Sequence, residues 1–233
     1  MRAIVLVPTY NERANLRELV EKVRHYAPGL HILIIDDNSP DGTGALADEL
    51  AQEYVAEVFV LHRSRKEGLG KAYVDGFGQV LNKDYEYILQ MDADLSHDPA
   101  HLPNFFRNIE NHDVVVGSRY LNGISVVNWD LKRLMMSKLA SDYVRFITRM
   151  PFTDTTSGFN CWRRETLISI DVEKIFSKGY VFQIEMKYKA FRKGFKVVEV
   201  PIIFVERKNG NSKLDRRVIW EALWGVLRLK VKG

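Results

Sequence analysis

Residues 87–99, YILQMDADLSHDP, place two carboxylates, Asp92 and Asp94, two positions apart directly after a short apolar run. Tyr87, Ile88, Leu89 and Met91 read as a buried strand of a parallel sheet, and Asp98-Pro99 closes the turn and opens a helix. The acids then stand at the C-terminal end of a strand, the edge at which open α/β sheets bind ligands. Side chains two apart project the same way, so both can turn oxygens to one hard cation that also holds a diphosphate. A solvated turn uses the same residue type. Two further polar strand ends, Pro8-Thr9-Tyr10-Asn11-Glu12 and Asp36-Asp37, shift the balance towards a ligand site. Carboxylates converging on one crevice repel each other unless a cation or ligand donors offset the charge. No G-x-x-x-x-G-K-[ST] loop occurs, and Gly68-Leu69-Gly70 lacks the third glycine of a dinucleotide fingerprint. A metal is therefore expected to take the phosphate-holding task.

The elements that must position these groups alternate strand and helix. Residues 3–7 form an apolar strand ended by Pro8. A helix follows with Asn15 and Glu18 as its capping pair and Leu16, Leu19, Val20 and Val23 inward. A strand at 31–35, a helix bearing Leu46 and Leu50, a strand at 58–61 and a helix from about Lys71 lead to the acidic strand. A helix with Leu102, Phe105, Phe106 and Ile109 and a strand at 114–116 come next. This rhythm predicts a doubly wound, mostly parallel sheet flanked by helices. Beyond Arg119 a long amphipathic helix spans 129–147, with Leu131, Leu134, Met135, Leu139, Tyr143 and Phe146 as its apolar positions. A Thr/Ser/Gly loop at 153–158, a helix near 183–192, a strand at 197–205 and a last helix at 215–230 complete the chain. No linker divides it, so 1–233 reads as one domain, with a nucleotide-binding half at 1–120, an acceptor half at 121–213 and a tail helix at 214–233.

Composition bounds the function. At 233 residues, 46% hydrophobic and 27% charged, the chain can bury a full core. One cysteine, Cys161, reads as a small buried hydrophobe in a reducing cytoplasm. The apolar start is too short for a signal peptide, and no run of eighteen apolar residues occurs. The net charge of +4 equals the surplus within 213–233, where six basic residues face two acids, so the other 212 are close to neutral. That excludes a broad basic face for nucleic acid and leaves a tail suited to an anionic surface.

The ordered motifs resemble a known pattern. V-P-T-Y-N-E at 7–12, D-D-N-S-P-D-G-T at 36–43, D-A-D-L-S-H at 92–97 and G-S-R-Y at 117–120 look like inverting, family-two nucleotide-sugar glycosyltransferases of the GT-A (nucleotide-diphospho-sugar transferase, Rossmann-like) fold. W-D-L-K-R at 129–133, T-S-G-F at 156–159, K-G-Y-V-F-Q-I-E-M at 178–186, and V-E-R with G-N-S-K at 205–213 resemble the polyprenyl-phosphate (dolichol-phosphate) mannose synthases. The resemblance implies GDP-mannose as donor, polyprenyl or dolichyl phosphate as acceptor, and Mg²⁺ or Mn²⁺ as cofactor. It puts Pro8, Tyr10, Glu12, Ile35 and Asp37 around the guanosine. Asp92, Ala93 and Asp94 would hold ribose, diphosphate and metal, with Asp94 the principal ligand. Ser96 stands where some members have a glutamine ligand, and a neutral hydroxyl is a poorer donor. Arg207 and Lys213 match a pair closing over the diphosphate, and Arg119, Arg133 and Ser137 match positions holding the acceptor phosphate. Asp94, Arg119, Arg207 and Lys213 are thus the expected catalytic groups. The acceptor phosphate is already an anion at neutral pH and needs no general base.

The resemblance also implies contact with the cytoplasmic face of a membrane, directly or through a separate anchoring protein. Trp220, Leu223, Trp224 and Leu227, beside Arg216, Arg217, Arg228 and Lys230, suit either an interfacial helix or one packed on the domain. Another polyprenyl-phosphate transferase, such as a glucosyltransferase, or an inactive lipid-binding regulatory homologue, shares most of these features.

Overall fold

A computed structural model describes residues 2–175, 177, 179–206 and 224–230. Strands β1 (Ala3–Thr9), β2 (His31–Asp36), β3 (Val58–His62), β4 (Tyr87–Gln90), β5 (Val114–Ser118), β7 (Asn160–Arg163) and β8 (Val197–Pro201) form one sheet in the order β3-β2-β1-β4-β7-β5-β8. The central strands are apolar at successive positions because both faces are covered. Val5, Val7, Ile32, Ile34 and Leu89 pack under α1 (Arg13–Tyr26), α2 (Thr43–Glu53) and α4 (Leu102–Ile109). Their neighbours Ile4, Leu6, Leu33, Ile35 and Ile88 pack under α3 (Leu69–Val80), α6 (Arg164–Ser169) and α7 (Gly179–Arg192). The chain steps outward from β1 to β2 and β3, then returns to place β4 on the other side of β1. That reversal opens a crevice beyond the ends of β1 and β4, where the acidic turn lies.

Several expectations change. Pro8 does not end β1: the strand runs to Thr9, with Pro8 beside Ile35. Leu6 and Pro8 face the β4 side, and β1–β4 pairing stops at Leu6–Gln90, so the missing N–H forfeits no ladder bond. Asn15 and Glu18 do not cap α1, which begins at Arg13; Asn15 Nδ2 instead donates to Glu12 at 2.9 Å. The expected strand at 197–205 divides into β8 and β9 (Phe204–Val205), and β9 pairs with β6 (Val126–Val127) in a separate small sheet. Strand β7 has no counterpart in the sequence reading. It is antiparallel to β4 and β5, with Gln90 opposite Asn160, so the loop preceding β7 lies at the edge where β4 and β5 end.

The long helix, α5 (Leu131–Thr148), is turned inside out. Its buried residues are Ser141, Val144 and Thr148, while Leu131, Met135, Leu139 and Phe146 are 71%, 54%, 63% and 83% exposed. At 100° per residue these four share a stripe about 80° wide. Helical residues 224–230 likewise bury Val226 and Leu229 against Val144, Val181 and Ile184, leaving Trp224 and Leu227 outside. The expected stripe members Trp220 and Leu223 lie outside the described residues. Among those described, no helix is long and apolar enough to cross a membrane.

Two buried features generate measurable consequences. On α3, a Cβ at Gly76 would stand 2.4 Å from Ile35 Cδ1, whereas at Gly78 the nearest atom is 3.8 Å away. Gly76→Val is expected to lower unfolding free energy by about 1–3 kcal/mol through overpacking. Gly78→Ala gains about 0.5–1 kcal/mol from helix propensity. Urea denaturation checks both, and equal effects would contradict the packing. On α7, the fully buried Lys187 donates to the carbonyls of Thr155 at 3.1 Å and Ser157 at 2.6 Å. Burial pushes its ammonium down to about 7 from an ordinary 10.5, against the pull of Asp154. Between those values the unfolded chain holds the extra proton, so stability rises with pH from about 7 to about 10.5. Lys187→Met is expected to flatten that rise in a series of melting curves; an unchanged slope would contradict it.

Candidate active site

Three chain ends meet at one edge of the sheet: the turn after β4, the residue after β5, and the loop entering β7. The turn Asp92-Ala93-Asp94-Leu95-Ser96-His97 is held internally. Ser96 donates to Asp94 Oδ1 from its hydroxyl at 2.5 Å and its backbone N–H at 3.1 Å. Asp92 N–H donates to His97 Nδ1 at 3.0 Å, so that nitrogen carries no proton. The 3.8 Å separation between His97 Nδ1 and Asp92 Oδ2 is therefore not an ion pair. His97 is 2% exposed and stacks on Phe159 with ring centroids 5.0 Å apart. These contacts hold Leu95 in the left-handed region, φ 62°, which a leucine seldom adopts.

Arg119, directly beyond β5, forms a forked pair with Asp154 from the β7-entry loop. Its Nε and one terminal nitrogen donate to the two carboxylate oxygens at 2.6 and 2.7 Å. Its backbone N–H donates to the same carboxylate at 3.1 Å, and Thr156 accepts at 2.8 Å. Asp154 is wholly buried. Burial alone would raise its carboxyl, but the Arg119 guanidinium outweighs that and holds it below the ordinary carboxylate value. The guanidinium carbon lies 5.3–5.6 Å from the ring centres of Tyr120, Trp129 and Phe204. From α5, Arg133 stacks on Trp129 at 4.4 Å and pairs with Glu206. One turn later Ser137 accepts from the Tyr120 hydroxyl at 2.8 Å.

A cavity of about 480 Å³ joins these groups: Asp92, Asp94 and Ser96 line it together with Arg119, Arg133 and Ser137. Its remaining wall is largely apolar, with Met136, Leu139 and Tyr143 of α5 facing Ile184 of α7 and Val226. Two adjacent carboxylates are hard oxygen donors suited to Mg²⁺ or Mn²⁺ when substrate phosphates and water complete the sphere. Among the described residues no group of three His, Cys, Asp or Glu side chains could hold a metal alone, so this division of ligands is the one that fits.

The acids of β2 do not line that cavity. Asp36 accepts from Thr9 at 3.0 Å and from the Ser39 hydroxyl at 2.6 Å. Asp37 pairs with the buried Arg63; its burial raises its carboxyl, opposed by that guanidinium. Convergence of the strand tips on one ion thus reduces to the single pair Asp92 and Asp94. Pro8, Tyr10, Glu12 and Ile35 lie along the neighbouring ends of β1 and β2, with the Lys66 ammonium 3.6 Å over the Tyr10 ring. A second recess, about 560 Å³ beside β3 and α3, carries Arg63, Glu67 and Asp75, whose charges are already paired with one another. Arg207 and Lys213 lie outside the described residues. Asp154, Gln183 and Lys187 were not anticipated. The one available signal was the alternation of polar Gln183, Glu185 and Lys187 with apolar neighbours in the middle of α7.

Comparison with known proteins agrees with this architecture. Residues 4–181 match the model of the family described as glycosyl transferase family 2. The chain is 46% identical over 233 residues to a polyprenol monophosphomannose synthase from Mycolicibacterium smegmatis, covering all of this chain and 88% of that protein. It is 42% identical over 228 residues to an undecaprenyl-phosphate mannosyltransferase from Micrococcus luteus, covering 98% and 93% respectively. Among solved structures, glucosyl-3-phosphoglycerate synthase from Mycobacterium tuberculosis, in complex with Mn²⁺, UDP and phosphoglyceric acid, superposes with a TM-score of 0.74 at 16% identity over 98% of this chain and 78% of that one. The same enzyme with Mg²⁺ and UDP gives a TM-score of 0.69 at 19% identity, covering 97% and 79%. These structures share the GT-A-like fold: a mostly parallel sheet flanked by helices. With the family model spanning most of its length and relatives above 40% identity along it, the chain belongs to glycosyl transferase family 2 and is a glycosyltransferase.

Proposed function

We propose that the chain transfers mannose from GDP-mannose to the phosphate of a polyprenyl (dolichyl) lipid, with inversion, giving a β-linked polyprenyl phosphate mannose. One observation carries the reading: a single cavity is lined by a carboxylate pair, two arginines and a serine, and by an apolar wall to which α5 and α7 contribute. An acceptor with an anionic head and a hydrocarbon body matches that mixed lining, and the names of the two relatives supply the sugar. Asp92 and Asp94 hold Mg²⁺ or Mn²⁺, with Ser96 acting through Asp94 by fixing its carboxylate. The metal, when bound, offsets charge on the departing nucleotide. Pro8, Tyr10, Glu12, Ile35 and Asp37 are assigned to the guanosine, and Arg207 and Lys213 to the diphosphate. Arg119, held rigid by Asp154, and Arg133 with Ser137 position the acceptor phosphate. That phosphate ester has a second pKa near 6, so at neutral pH it attacks the anomeric carbon as an anion and no residue need accept its proton.

The chain is assigned to the cytoplasmic face of a membrane as a peripheral protein, directly or beside a separate anchoring protein. The outward stripe of Leu131, Met135 and Phe146 and the exposed Trp224 support this, since large apolar side chains on one exposed helix face mark a contact surface. Leu139 belongs both to that stripe and to the cavity wall, so a lipid chain can leave the site along α5.

Asp94→Ala is expected to abolish mannose transfer from GDP-mannose to a short prenyl phosphate while circular dichroism stays unchanged, and chelation of the wild type should do the same until Mn²⁺ is restored. An active, metal-independent variant would refute the assignment. Replacing Leu131, Met135 and Phe146 together by Glu should lower co-flotation with anionic vesicles at least tenfold and leave GDP binding intact, because apolar area is exchanged for like charge. Undiminished flotation would remove α5 from the membrane contact.

A further inference from the structure

Three amides meet behind the cavity, Gln90 on β4, Asn160 on β7 and Gln183 on α7, and all three are buried. One unambiguous donor fixes their orientations. The Trp162 indole can only donate, and it lies 2.9 Å from Gln90 Oε1, so that atom is the oxygen. Asn160 stands 3.3 Å from the same oxygen and 3.2 Å from the Ser157 carbonyl, and must present its nitrogen to both. That nitrogen is 3.1 Å from Gln183, which therefore turns its oxygen inward. Gln183 Nε2 is left on the far side of the amide, buried and with no hydrogen-bond partner among the described residues, on a side chain that lines the cavity of Asp92 and Asp94.

A buried donor without an acceptor is unfavourable until a ligand oxygen meets it. Charge matching narrows that oxygen. Under the transferase reading, on which this inference rests, the phosphates are served by the metal and by guanidinium groups; the sugar between them offers neutral hydroxyls, for which a neutral amide is the suitable donor. We infer that Gln183 Nε2 donates to one hydroxyl of the transferred hexose and so takes part in selecting the sugar. Loss of the Gln183 side chain does not strand Asn160: its two amide hydrogens are shared among three acceptors, and Gln90 and Ser157 remain to take both.

Calorimetric titration of the full chain with GDP-mannose and with GDP, both with Mn²⁺, tests this. Gln183→Met should weaken GDP-mannose on the order of tenfold and leave GDP unchanged. Across monodeoxy analogues of the donor, the penalty should vanish for the one lacking the contacted hydroxyl. Equal affinities of variant and wild type for GDP-mannose, a parallel loss for GDP, or a penalty equal across all analogues overturns the inference. Should melting show Gln183→Met to be unfolded, Gln183→Leu is read by the same ratio. A wild type that transfers mannose while the variant keeps its affinities sinks only the role of Gln183, whereas a wild type that binds neither ligand sinks the transferase reading with it.

Discussion

Because β7 runs antiparallel between β4 and β5, the polar loop that enters it must lie at the edge where both neighbours end. A parallel strand in that slot would put the same loop at the opposite edge, more than a strand's length from the carboxylates. Asp154 can then reach Arg119, and Gly158 can pass so close to the turn that an added Cβ would sit 3.8 Å from Asp92 Oδ1. The contacts that set Arg119 and the Asp-x-Asp turn at one edge, the fork to Asp154 and the stacking of His97 on Phe159, depend on this reversal of direction.

The Arg119–Asp154 pair is best understood as a positioning device. Taking both charges out of water costs about as much as their attraction returns, so a large net stabilisation is not expected. What the pair provides is direction: a guanidinium held by three hydrogen bonds, with three aromatic rings around it, has little freedom left to lose when an anion arrives. Ser96 does the same for Asp94 and His97 for the backbone of Asp92. The site is pre-formed by buried hydrogen bonds, which is the condition under which charge stabilisation is effective.

Much of this was legible in the sequence. The Asp-x-Asp pair after an apolar run located the edge, and alternating apolar segments gave the doubly wound sheet. Strand β7 was invisible because Asn160-Cys161-Trp162-Arg163 is only four residues long and two of them are polar; their polarity is answered by Gln90 and the 109–112 backbone, which no local pattern reports. Helix α5 carried a legible periodicity but left open what covers it, since an apolar stripe shows that a surface is covered without saying by what. Asp36 and Asp37 looked from their position like acids that would join Asp92 and Asp94 around one ion, yet they lie outside the cavity lined by that pair and are engaged by Thr9, Ser39 and Arg63.

The central claim is that Asp92 and Asp94 share one divalent ion beside the arginines that receive the second phosphate. Anomalous diffraction at the manganese edge, from crystals grown with Mn²⁺ and GDP, addresses it directly. A single peak between the two carboxylates, within the cavity that also holds Arg119, is the predicted result. A peak elsewhere on the chain, or nucleotide density with no manganese at those carboxylates, would contradict it.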